Sequence, residues 1–282
     1  MLGKLFKYEF RATGRIFLPS YAVLLVMSVV ARLFYGDGRI FAIEEYEGLF
    51  VGIISLIMIM LFTAVWVVTL AMTLRRFWTN LLGREGYLTN VLPVHPWEHM
   101  LSKLVTAAVW NILSSLASVL ALWIMLGRVL NLVGVNWSEF MAFWRELWKR
   151  LSEEGAAGQA VLFAVQVALG TLLSVFRFIL SVYAAMCVGQ LVNTHRIWAS
   201  IGAYFGVNIV QSILFSQAVG SRFFTSRFFG TTVYSYEGPI SAARELARVN
   251  ELLLWFVVIE LLFCAALFFA GTWILRKRLN LQ

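Results

Sequence analysis

Residues 49–73 read LFVGIISLIMIMLFTAVWVVTLAMT, with no charged residue and no polar stripe at helical spacing. A hydrocarbon core of about 30 Å takes roughly 20 apolar residues when crossed as a helix, so this stretch is long enough to span a bilayer. Outward from it, five further runs have the same character: residues 16–34, 105–126, 159–188, 197–219 and 252–275. The first follows a basic start, as in a signal peptide. It is long, however, and no small-residue cleavage site follows, so it reads as a retained span. The whole chain agrees: 61% of its 282 residues are hydrophobic and 13% charged, against about 45–50% and 25% in a soluble domain. This composition excludes a soluble enzyme, and the 23 Phe, 11 Trp and 9 Tyr exclude a disordered chain. The expected fold is an all-α membrane protein with six transmembrane helices, forming one membrane domain over residues 1–282.

Six crossings put both termini on one side. Lys and Arg number twelve on that side and ten on the other, and four of the twelve precede the first span. The local excess places both termini in the cytoplasm of a cell membrane. The net charge of +8 is scattered among the spans, so a lipid surface is the expected anionic partner and nucleic acid is not. Cys187 and Cys264 lie inside apolar runs and make no disulfide framework.

Two segments between spans are amphipathic. Over residues 1–15, Leu2, Leu5, Phe6 and Phe10 alternate with Lys4, Lys7 and Arg11, which predicts an interfacial helix ahead of the first span. Within the outer insertion 127–158, Trp137, Phe140, Met141, Trp144, Leu147, Trp148 and Leu151 recur at helical spacing among charges. That stripe predicts a helix anchored on the outer membrane surface with its Trp rings at headgroup depth.

The phosphate-binding Gly-x-x-x-x-Gly-Lys-Ser/Thr pattern is absent from these 282 residues; the one Gly-Lys pair, Gly3-Lys4, precedes Leu5. ATP hydrolysis is not expected on this chain, and no cofactor or catalytic residue is assigned to it. His95-Pro96-Trp97-Glu98-His99 matches the spacing that sets two zinc-binding imidazoles beside a general base. With His195 as the sole further imidazole, the bland alternative is a Pro-started helix carrying two solvated histidines.

The cytoplasmic segment 75–103 carries Phe77, then Glu85-Gly86-Tyr87-Leu88-Thr89, then Leu92-Pro93-Val94. In this setting, between the second and third of six spans, it resembles the permease subunits of type-2 ATP-binding-cassette (ABC) transporters. The basic amphipathic start and the long outer loop 220–251 before the last span are similar too. The resemblance implies a cytoplasmic coupling helix including Phe77, Glu85, Gly86, Tyr87, Leu88 and Thr89, docked on separate ABC ATPase subunits that hold the ATP and magnesium. It also implies a second permease subunit and export of an amphiphilic substrate. Exposed Phe77, Tyr87 and Leu88 would suit a protein partner. The insertion 127–158 departs from simpler members. An intramembrane metalloenzyme using His95, Glu98 and His99, or a non-transporting scaffold, are the competing readings.

Inside the spans, Arg177 and Glu260 are the clearly central charges. Each costs about 2.5–3.5 kcal/mol at the centre of an isolated helix, so they are expected to pair. Asn111, Ser114, Ser115, Ser118, Asn208, Gln211 and Ser212 are candidates to line a cavity or to bond between helices. Gly202-x-x-x-Gly206 and Ser181-x-x-x-Ala185-x-x-x-Gly189 read as close-packing faces. Arg222-Phe223-Phe224, repeated as Arg227-Phe228-Phe229, suits an outer loop that dips back into the interface or one simply anchored to headgroups.

Overall fold

A computed structural model describes residues 2–34, 47–82, 96–132, 137–192, 195–217 and 242–277. Their helices are α1 (Leu2–Phe34), α2 (Glu47–Phe77), α3 (Pro96–Leu132), α4 (Trp137–Glu153), α5 (Ala157–Gly189), α6 (Arg196–Phe215) and α7 (Ala242–Lys277). All but α4 are long and apolar enough to cross a membrane, which makes six candidate spans. The protein is an all-α, multi-pass membrane protein.

The helices overrun their apolar cores. With 33 residues, α1 is about 50 Å long, and its amphipathic start is its first four turns, not a separate interfacial helix. Pro19 lies inside it without ending it, as membrane helices tolerate. Its continuity has a packing reason: α1 is held against α3 along its length. Trp110 stacks on Phe17 with ring centroids 4.6 Å apart and donates its indole N–H to Thr13 Oγ1 at 2.7 Å. Farther along, Tyr21 meets Ser114 at 2.7 Å, and Ser114 meets Thr69 of α2 at 2.8 Å. The Thr69 hydroxyl proton is committed to Val65 O. The Tyr21 hydroxyl also lies 3.2 Å from Trp110 O, so its one proton is shared between that carbonyl and Ser114.

The chain divides into two compact units: Met1–Thr79 with Leu92–Met141, and Asn80–Val91 with Ala142–Gln282. The first is built on α1, α2 and α3, with Leu24, Met58, Val65 and Ala121 in its core. There α1 and α3 run parallel, since Glu9, Thr13 and Tyr21 meet Lys103, Trp110 and Ser114 in ascending order. The second is built on α5, α6 and α7. Asn250 bonds Gln159 and Cys264 bonds Leu173 at the same sequence offset, so α5 and α7 are parallel as well. In each unit the intervening helix returns, as three successive crossings require.

Near its end, α5 is buried on every face from Ile179 to Cys187, including Ser181 and Ala185 of the small-residue stripe. Gly189 completes it: a Cβ there would overlap Ser200 Oγ and come within 2.7 Å of Arg196 O. The Gly202 and Gly206 pair differs. Among the described residues no atom lies within 4 Å of either hypothetical Cβ, and α6 has no buried residue, so no described helix closes that face.

Candidate functional site

Two charged clusters stand out, one in each unit. In the second unit, Arg177 of α5 places Nε 2.8 Å from Glu260 Oε2 of α7. Its Nη1 donates to Gln211 Oε1 of α6, also at 2.8 Å. The Glu260 side chain is 4% exposed and that of Arg177 20%. All three helices of the unit thus meet at one guanidinium. A buried carboxylate is costly unless an opposite charge compensates for its lost water, and the Arg177 guanidinium supplies that charge at salt-bridge distance. Gln211, expected among the cavity-lining residues, instead holds the guanidinium from a third side.

Three of the other expected cavity residues turn to their own helices. Asn111 donates to Ala107 O, Ser115 to Asn111 O and Asn208 to Tyr204 O. Such i−4 bonds satisfy a polar group without a partner helix. Ser114 is the one that bridges helices, through Tyr21 and Thr69.

The cluster of the first unit escaped the sequence reading. Glu9 of α1 accepts from Lys103 Nζ of α3 at 2.7 Å and pairs with Arg76 Nη1 of α2 at 3.5 Å. One signal was available: Glu9 is the sole acid before Asp37 in a strongly basic stretch. Arg76 and Lys103 also flank the segment between the second and third spans, so both of its ends are tied to a single carboxylate.

Two expectations at this end need correction. Phe77 is 0% exposed, not presented to the cytosol. Helix α2 continues as a wide turn, Trp78–Leu82, whose Leu81 and Leu82 are also buried, and Phe77 turns inward with it. His99 is 5% exposed, not solvated. The first turns of α3 carry His99, Met100 and Lys103 inward, and the Lys103 bond to Glu9 fixes that side against α1.

Glu85, Gly86, Tyr87, Leu88, Thr89, His95 and the repeated Arg-Phe-Phe lie outside the described residues. Among the described residues, no three His, Cys, Asp or Glu side chains gather where a metal ion could be shared.

The chain matches no family model, no curated protein and no solved structure. The functional reading therefore rests on the residues themselves.

Proposed function

We propose that this chain is the membrane-spanning permease subunit of an ATP-driven ABC exporter of amphiphilic substrates, working as a pair of permease subunits with separate ATPase subunits. The observation that carries this reading is the segment between the second and third spans, with Glu85-Gly86-Tyr87-Leu88-Thr89 followed by Leu92-Pro93-Val94. It is supported by the Glu9 cluster. A segment that receives a push from a partner must pass it to the spans, and Arg76 and Lys103 connect both of its flanks to α1. The absent phosphate-binding loop leaves ATP and magnesium to the partner. The open Gly202 and Gly206 face suits a second permease copy, because small residues let helix backbones approach closely in lipid. In this scheme ATP closes the ATPase pair, the segment shifts, and the spans of the permease pair open a shared cavity outward.

The test is co-purification. Replacing Tyr87 and Leu88 together with Ala should lower recovery of the ATPase encoded with this chain, while the permease elutes and melts as before. Unchanged recovery removes the docking assignment.

The proposed orientation has its own expected outcome. With Cys187→Ala and Cys264→Ala as background, Ser138→Cys and Ser235→Cys should react with a membrane-impermeant maleimide in intact cells, and Asn90→Cys only after lysis. The opposite pattern inverts the topology.

A further inference from the structure

Helix α4 presents an aromatic face to its surroundings. No residue of α4 is buried, and Trp137, Phe140, Met141, Trp144 and Trp148 are all exposed. At 100° per residue these five fall on one side of the helix.

Its attachments fix how that face is held. Three spans separate α4 from the N-terminus, so it belongs to the opposite membrane face. Four residues lie between Leu132, the end of α3, and Trp137, the start of α4, and the Trp137 ring meets Trp123 of α3 edge-on at 6.2 Å. At the other end there is no slack. Gly155 adopts φ +69°, Gly155 N–H bonds Ser152 O, and Ala156 N–H bonds Leu151 O. That is a Schellman stop, which turns the chain straight into α5 at Ala157. A rod of 17 residues, about 26 Å long, pinned to a span at each end must lie along the membrane face.

The charges of α4 then decide which lipid it suits. Arg145, Lys149 and Arg150 are balanced by Glu139, Glu146 and Glu153. Two of these close on each other, Glu146 with Arg150 at 3.1 Å and Lys149 with Glu153 at 3.9 Å. Interfacial helices that bind anionic lipid carry an excess of Lys and Arg, and α4 carries none. The start of α1 is the contrast, with four basic residues to one acid.

We propose that α4 docks flat on a zwitterionic lipid surface through its aromatic face, independent of lipid charge and of salt. This inference does not rest on the ATPase reading, and its failure would leave that reading untouched.

The test uses the full chain with Cys264→Ala, keeping Cys187 because it is fully buried. Nitroxide labels are placed at Met141→Cys and Trp144→Cys on the aromatic face, and at Glu139→Cys and Lys149→Cys on the charged face. The Met141→Cys variant spares every Trp, so it reports even where loss of Trp144 weakens docking. The protein is reconstituted in phosphatidylcholine, with and without phosphatidylglycerol. The expected ratio of oxygen to nickel-chelate collisions is several-fold higher at Met141 and Trp144 than at Glu139 and Lys149. It should be the same in both lipids and from low to molar salt. Three results overturn the proposal: nickel reaching Met141 as readily as Glu139, loss of depth at high salt, or a Met141 label equally immobilised in micelles and bilayers. The last would mean that a protein covers the face.

Discussion

Neutralising either Arg177 or Glu260 should cost about 3–5 kcal/mol, because removing one member of a buried pair strands the other in a medium that cannot solvate it. The geometry is specific: Arg177 Nε is 2.8 Å from Glu260 Oε2, and the carboxylate is 4% exposed. Arg177→Met alone leaves the carboxylate without its cation, and Glu260→Gln alone leaves the cation with Gln211 as its neutral acceptor. The double variant strands no charge and should recover much of the loss. Thermal unfolding of wild type, both singles and the double, in one lipid, gives the coupling directly. A double as unstable as the sum of the singles would show that the residues act independently. A stable double that no longer transports would assign the pair to substrate handling or gating.

The second large effect is expected at Gly189. A Cβ there would meet Ser200 Oγ and the Arg196 carbonyl, and the backbone atom cannot swing aside. Overpacking of this kind costs about 1–3 kcal/mol or more. Gly189→Ala should therefore lower the melting temperature clearly, and Gly189→Val should fail to yield folded protein. Gly202→Ala is the matched control on the next helix, where no described atom lies within 4 Å, and the isolated chain should melt as wild type. Equal melting of the Gly189→Ala and Gly202→Ala variants would refute the close α5–α6 crossing.

Much of the fold was legible because transmembrane segments are announced by composition over a short window. The stretch 49–73 needs no distant partner to be read, and it falls within α2. The unbroken α1 was not legible. Its first turns look like a surface helix because Leu2, Leu5, Phe6 and Phe10 alternate with Lys4, Lys7 and Arg11, and what keeps them in line lies about 95 residues away at Lys103 and Trp110. The same distance hid the Glu9 cluster. Phe77 was misread because an apolar residue at the end of a span looks exposed until the following turn is known to fold inward. Arg177 and Glu260 were conspicuous because charges are rare at such depth, but Gln211 could not be assigned to them. A neutral side chain gives no hint of the charge it serves.

The parallel arrangement of α5 and α7 has a consequence for how the protein is made. Parallel neighbours cannot form by folding one helix back on the next; a whole return crossing must be synthesised between them. From Arg177 to Glu260 the ribosome adds 83 residues, which takes roughly 4–17 s at ordinary elongation rates. Once α5 has left the ribosome, Arg177 waits in it without a carboxylate partner until α7 follows. The nascent chain therefore needs a temporary host for a bare guanidinium, either water at the insertion channel or lipid phosphate reached along its own side chain. Variants that slow translation between α5 and α7 should lengthen that exposure, and their yield should fall without any change in the finished protein.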